Sequence, residues 1–165
     1  MIKKLTFSIL IVLAFLGCTR DDICPEGTAT TAKLVVTFND IANPTNPKSV
    51  SVLSVQTDYE DSVELLSFTE TGEIALPLKT SSDTTKYRLI KTTFRTNDTL
   101  TNVDRVMFVY QRRNNYVNRA CGFNTEFYNL EASLEPEGNQ NWIQDIVVKR
   151  DTVNDENNAH IIILH

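Results

Sequence analysis

The sequence has little of what most enzyme sites are built from. It contains two histidines, five glycines and one tryptophan in 165 residues. It lacks a G-x-S-x-G nucleophile elbow, an H-E-x-x-H zinc motif and a glycine-rich phosphate loop. We therefore expect a protein that is not an enzyme, with no catalytic residue, no cofactor and no metal site. A carboxylate pair for glycoside hydrolysis meets only in three dimensions, so a cryptic hydrolase stays open as a third hypothesis.

Long apolar runs and basic tracts are also missing. The apolar run at residues 5–16 is shorter than the roughly 20 residues that a transmembrane helix needs. It follows Lys3 and Lys4 and precedes Gly17, which is the pattern of a secretory signal peptide over residues 1–17. Its removal leaves 14 basic against 21 acidic residues, a net charge of −7. With no polybasic tract, nucleic acid is not an expected partner.

Cys18 directly follows Gly17, and this junction resembles the lipobox of bacterial lipoproteins. In that motif a small residue precedes a cysteine that is acylated and becomes the new N-terminus. Phe15 departs from the pattern, which prefers leucine at that position. The resemblance implies lipidation of Cys18 and membrane anchoring without a spanning helix, because two or more acyl chains bind a bilayer stably.

Cys24 and Cys121 remain once Cys18 is assigned to the lipid. Disulfides form and persist in the oxidising compartments that exported proteins reach. We therefore expect one Cys24–Cys121 disulfide, with two free buried thiols as the alternative.

The rest of the chain has the pattern of short strands. Residues 18–31 are interpreted as the lipidated cysteine and a tether, and residues 32–165 as a single domain. Apolar, β-branched and aromatic runs recur every 8–12 residues between Asn, Asp, Gly and Pro, which is typical of sandwiches and barrels. Residues 33–38 place Leu34, Val36 and Phe38 on one face. The prediction is all-β: an immunoglobulin-like or transthyretin-like β-sandwich of about seven to nine strands.

Three local predictions complete this fold. Residues 127–135 are the best candidate for one or two helical turns. Residues 113–115 are expected to form a hairpin turn. His160 and His165, five residues apart on a terminal strand, are expected to face solvent on opposite sides of the sheet, too far apart to bind one metal.

Three further features have a structural and a functional interpretation. The acidic loop at residues 151–158 is expected to be a solvated turn, with Ca²⁺ binding as the alternative. Trp142 is expected in the core rather than stacking on a sugar. The arginines of the central hairpin are expected to form a charged rim rather than an anion site: Arg112, Arg113 and Arg119.

Four Asp-(Ser/Thr) tripeptides resemble the acceptor of the general O-glycosylation system of Bacteroidetes. Asp-Thr is also common at turns, so both interpretations stay open. The candidate acceptors are Ser62, Thr84, Thr99 and Thr152.

Residues 21–28 (DDICPEGT), 34–45, 76–87 and 119–123 (RACGF) together resemble a family of uncharacterised lipoproteins of Bacteroidetes, domain-of-unknown-function family 6452. The resemblance implies anchoring in the outer membrane and brings no known activity, ligand or catalytic residue. Arg20-Asp21-Asp22 also resembles the signal that sends some lipoproteins of that phylum to the cell surface.

These observations favour a non-enzymatic, lipid-anchored outer-membrane lipoprotein on the periplasmic face or cell surface. Its membrane contact is the lipid anchor, and its expected partner is an envelope protein that docks on it or is scaffolded by it. The alternative is a surface lipoprotein that binds a glycan or small ligand. Such a site would need a groove lined by exposed aromatics from Tyr59, Tyr110, Tyr116, Tyr128 and Trp142.

Overall fold

The computed structural model describes residues 23–165, so the predicted signal peptide and Cys18 lie outside the described residues. The described chain is almost entirely β-structure, with one short 3-10 helix at Gly138–Gln140. None of its helices has the length and hydropathy needed to cross a membrane. The strands are β1 Leu34–Asp40, β2 Asn43–Pro47, β3 Leu53–Thr57, β4 Glu64–Phe68, β5 Glu73–Leu76, β6 Thr84–Arg95, β7 Asp98–Asn118, β8 Gly122–Leu134, β9 Asp145–Val148 and β10 Ile161–Leu164.

The strands form two five-stranded sheets, which confirms the predicted all-β sandwich. The first has the order β2-β1-β10-β9, with β5 also paired to β1, and the second has the order β4-β3-β6-β7-β8. The count is ten strands rather than seven to nine. The first sheet contains a parallel pair, β1 with β10, in the register Val36↔Ile161 and Phe38↔Ile163.

The hydrophobic core is formed by inward-facing side chains from the strands of both sheets. In β1 the predicted apolar face, Leu34, Val36 and Phe38, is completely buried. The second sheet contributes Leu53, Val55, Tyr87, Leu89, Val106 and Phe108 to the same cluster. Burial of this apolar surface is the main favourable contribution to folding.

Residues 127–135 belong to β8, so the predicted helical turns are wrong. A bulge explains the misleading pattern: Asn129 has φ 51° and interrupts the alternation of inward side chains. Phe127 and Leu130 are therefore both buried, and Leu134 packs against the core. This spacing of three and then four residues imitates a helical period.

The hairpin turn predicted at residues 113–115 is also wrong. β7 runs without interruption from Asp98 to Asn118, and the turn follows at residues 119–121. Asn114 lies within the strand, where its side-chain oxygen accepts a hydrogen bond from the Thr125 hydroxyl at 2.9 Å. The polar run Arg-Arg-Asn-Asn therefore makes contacts between neighbouring strands rather than a turn.

The chain divides into two compact units. One contains Thr30–Asn115 with Thr125–His165, and it holds the hydrophobic core. The described residues of the other are 23–29 and 116–124. The described start of the expected tether, residues 23–29, thus shares its unit with the tip of the β7–β8 hairpin, while Thr30 and Thr31 belong to the unit that holds the core.

Candidate functional site

The smaller unit is built around a disulfide. Cys24 and Cys121 are bonded across a sequence separation of 97 residues, with their Cα atoms 4.8 Å apart. This confirms the predicted pairing. The turn that presents Cys121 leads into Gly122, whose φ of 72° is a left-handed conformation that glycine adopts without steric cost. The Asn118 side chain accepts a hydrogen bond from the Cys121 N–H at 2.7 Å and holds the turn closed.

Large apolar side chains around this disulfide are exposed. The rings of Tyr116 and Phe123 stack edge to face with their centroids 5.3 Å apart. Tyr116 is 62% exposed, Phe123 67% and Ile23 78%. We call these three residues of the smaller unit the tip cluster. The predicted disulfide places residue 23 near residue 121, but nothing in the sequence shows that these apolar side chains stay exposed.

The five aromatics proposed to line a groove are not all exposed. Trp142 is buried, as predicted, and its indole N–H donates to the Leu89 carbonyl at 3.0 Å. Tyr110 is also buried, with its ring against Phe127 at 5.0 Å. The Tyr59 ring is covered by the Lys79 ammonium at 3.3 Å, and Tyr116 belongs to the smaller unit.

A polar cleft of about 320 Å³ opens on the second sheet. Asp58 accepts charge-assisted hydrogen bonds there from Arg88 at 2.9 Å, and Arg105 lies 3.5 Å from the same carboxylate oxygen. Lys86 and Glu135 complete the charged lining. This cleft has donors and acceptors for a small polar ligand but none of the five aromatics.

A second cleft, of about 600 Å³, is lined by Asp83, Tyr110, Gln111, Arg112 and Asn114. Arg112 donates to Asp83 at 2.6 Å. Arg113 donates to Glu126 at 2.8 Å. Both guanidinium groups are thus paired with carboxylates, and Arg119 lies in the smaller unit.

Glu126 is the centre of a small network beside this cleft. The Tyr128 hydroxyl and the Arg113 guanidinium both donate to one of its oxygens, and the Arg113 group lies 4.9 Å from the Tyr128 ring. These hydrogen bonds, the one from Tyr128 first, lower the pKa of Glu126 to about 2. The network fixes the charge of Glu126 rather than preparing it to transfer a proton near neutral pH.

The two histidines are buried, which corrects the prediction that they face solvent. The Nδ1 atom of His160 accepts a hydrogen bond from the Val35 N–H at 3.1 Å. The His165 ring lies 5.6 Å from Trp142, and its Nδ1 atom is 3.2 Å from the Lys91 ammonium. Burial lowers the pKa of both imidazoles. They flank β10, which is paired on both sides, with β1 and with β9.

Asp104 is a second buried group that the sequence did not reveal. It is completely inaccessible, and one oxygen accepts a hydrogen bond from the Ile143 N–H at 2.7 Å while the other has no partner among the described residues. Burial raises the pKa of this carboxyl. Within residues 23–165, no group of three or more His, Cys, Asp or Glu side chains is placed to hold a metal ion.

Two acidic side chains of the loop at residues 151–158 accept hydrogen bonds from neighbouring residues of the protein. Arg150 donates to both oxygens of Asp155, at 3.1 and 2.7 Å, and the Glu156 side chain accepts from the Lys33 N–H at 2.9 Å. Phe127 and Val153 exchange two backbone hydrogen bonds, so the start of the loop lies against β8. This agrees with the interpretation as a structural turn.

The four candidate glycosylation sites differ in exposure. Ser62 lies in an exposed turn and Thr99 beside the tip of the β6–β7 hairpin, and both are exposed. Thr84 and Thr152 are half-buried. The Ser62 hydroxyl donates to the Thr57 carbonyl at 2.9 Å, and the Thr152 hydroxyl donates to Asp151 at 3.1 Å.

Comparison with known proteins identifies the family. Residues 49–165 match the model of a family of unknown function, DUF6452. The chain belongs to this family. The match confirms the resemblance, although Cys24 and residues 21–45 lie before the matched region. No curated protein and no solved structure matches the chain.

Proposed function

We propose that this DUF6452 protein is an exported lipoprotein, anchored in the outer membrane through an acylated Cys18, that docks a protein partner of the cell envelope. The observation that carries the proposal is the Cys24–Cys121 disulfide, six residues after Cys18. A disulfide between distant segments is typical of a protein folded in an oxidising compartment. The basic, apolar and small-residue pattern of residues 1–18 supplies the route to that compartment.

The surface that best suits a protein partner is the free edge of β4. Among the described strands β4 pairs only with β3, whereas the opposite edge of the same sheet, β8, is partly covered by the Phe127–Val153 bridge. Val63 and Leu65 are exposed beside and on β4, at 54% and 38%. An unpaired strand with exposed apolar side chains can accept an extended segment of another protein as an additional strand.

Site-specific photocrosslinking tests this docking. A photoreactive amino acid at Leu65 is compared with the same amino acid at Val109, which is 37% exposed on β7 in the middle of the sheet. We expect a discrete adduct from position 65 in intact envelopes, its loss when Val63→Asp is added, and no equivalent adduct from position 109. Identical patterns from both positions, or no adduct at position 65, would contradict docking at β4.

The alternative function, binding of a glycan or small polar ligand, is favoured by the cleft around Asp58 and Arg105. Its test is calorimetric titration of the protein with soluble envelope-type oligosaccharides, comparing wild type with Arg105→Ala. Saturable binding that this substitution removes would support the alternative. The absence of an aromatic platform among the residues that line the cleft makes docking the better supported function.

We further propose that O-glycosylation uses Ser62 and Thr99 in preference to Thr84 and Thr152. The first two acceptors are exposed, and a bulky sugar on a half-buried hydroxyl would need local opening of the structure around it. Peptide mapping of envelope-purified protein tests this order directly.

A further inference from the structure

The apolar side chains of the tip cluster are exposed to solvent rather than packed within their own unit. Its members, Ile23, Tyr116 and Phe123, are each at least 62% exposed. Tyrosine and phenylalanine carry large apolar surface, and tyrosine adds a hydroxyl that can stay hydrated. Of the two, the amphipathic tyrosine ring is of the type enriched where proteins meet the boundary between lipid and water.

The tether limits how far this cluster can lie from the anchor. Six residues separate Cys18 from Cys24, and a fully extended chain covers at most about 3.6 Å per residue, so the two Cα atoms are within about 22 Å. The disulfide places the Cα of Cys121 4.8 Å from that of Cys24. Phe123 follows two residues later. An acyl group on Cys18 therefore keeps the tip cluster within reach of the headgroup layer, an argument that rests on the anchoring proposed above.

We propose that the tip cluster inserts into the interfacial region of the bilayer, as a second membrane contact beside the lipid anchor. The apolar surfaces of Ile23, Tyr116 and Phe123 would meet the upper acyl chains. The Tyr116 hydroxyl and the Arg119 guanidinium would stay at headgroup level. The disulfide would hold the two membrane contacts together, because it joins the inserted hairpin tip to the acylated segment.

The charges of the smaller unit predict which lipids matter. Its described residues contain one acid, Glu26, and one base, Arg119, and the processed chain carries a net charge of −7. Attraction to anionic headgroups cannot then drive the contact. Insertion is expected to depend on apolar surface, and to change little with salt or with the fraction of anionic lipid.

A depth measurement on the acylated, disulfide-bonded full-length product tests the inference. Phe123→Trp is reconstituted into phosphatidylethanolamine vesicles containing phosphatidylcholine brominated near the top of its acyl chains. The matched control is Phe94→Trp, because Phe94 is 70% exposed beside the tip of the other long hairpin. About 50 Å of β7, at roughly 3.3 Å per residue, separates its partner Thr99 from Asn115. Buried Trp142 gives the same background in both variants.

We expect the added emission of Phe123→Trp to be quenched by about threefold more than that of Phe94→Trp, at both low and high salt. Tyr116→Trp is a second reporter and is expected to behave like Phe123→Trp. Flotation of the same samples reports anchoring separately. Protein that floats with the vesicles while positions 116, 123 and 94 are quenched equally would overturn the insertion and leave the anchor intact. Protein that does not float would overturn the anchor and the insertion with it.

Discussion

At the scale of single residues, the buried carboxyl of Asp104 is expected to make stability fall as the pH rises. Its folded-state pKa is raised by burial above the ordinary value of 3.8. When the pKa of a group is higher in the folded than in the unfolded state, its protonated form stabilises the fold. This stabilisation is full at pH values below the unfolded-state pKa and is lost as the pH rises through the folded-state pKa. An asparagine at this position cannot ionise, so the Asp104→Asn protein has no such dependence.

The first prediction therefore concerns the difference in unfolding free energy between wild type and Asp104→Asn, which should change with pH. As the pH rises from 3 to 7, the unfolding free energy of wild type should fall relative to that of Asp104→Asn. Urea unfolding of both proteins at several pH values measures this. A difference that stays constant, or that moves in favour of wild type, would show that burial does not raise the pKa of Asp104 in the folded protein.

Glu126 should act in the opposite direction. Hydrogen bonds from Tyr128 and Arg113 lower its folded-state pKa from 4.5 to about 2. Its contribution is fully present above pH 4.5 and is lost as the pH falls through about 2. Since the pair is partly solvated, we expect Glu126→Gln to cost about 1 kcal/mol at pH 7 and progressively less as the pH falls below 4.5. Glu131→Gln, an exposed change on the same strand, is the control, and an equal effect of both changes would contradict the network.

The histidines show where inference from single residues ends. His160 and His165 flank β10, and the alternation pattern does not reveal that this strand is central in its sheet. Burial of His160 and His165 depends on pairing with β1, about 120 residues earlier in the chain. By contrast, Trp142 could be placed in the core from its apolar neighbours alone. The candidate site is likewise predictable only in part. The sequence predicts the disulfide but not the aromatic pair beside it.

At the scale of elements, the bulge at Asn129 determines which side chains of β8 face the core. Its φ of 51° is one that asparagine and glycine adopt more readily than other residues. The bulge also explains why strand residues 127–135 have the spacing of a helix. Alternation is clearest in β6, where the inward residues Thr85, Tyr87 and Leu89 keep a period of two.

We expect Asn129→Ala to lower the unfolding free energy by about 1 kcal/mol, because alanine has a steric penalty at positive φ. Asn129→Gly is the matched variant and should be neutral or nearly so. Chemical denaturation of both variants measures the effect. Equal destabilisation by alanine and glycine would mean that the asparagine side chain, rather than the backbone conformation, holds the bulge.

For the whole molecule, the disulfide is expected to contribute to stability only in an oxidising compartment, where it persists. It closes a separation of 97 residues, for which a chain-entropy model gives at most about 5 kcal/mol. Reduction should lower the midpoint of unfolding in wild type. The Cys24→Ser/Cys121→Ser protein should start at the lower midpoint and not respond to the reductant. A midpoint that is independent of reductant in wild type would show that the bridge contributes nothing to stability.

The most direct test of the proposed anchor and disulfide is the intact mass of the protein extracted from membranes, with and without reduction, followed by peptide mapping. The account predicts an N-terminus at a diacylated or triacylated Cys18, a Cys24–Cys121 peptide that separates only on reduction, and any sugar on the peptides of Ser62 and Thr99. An unprocessed N-terminus, or free thiols at both Cys24 and Cys121, would contradict it.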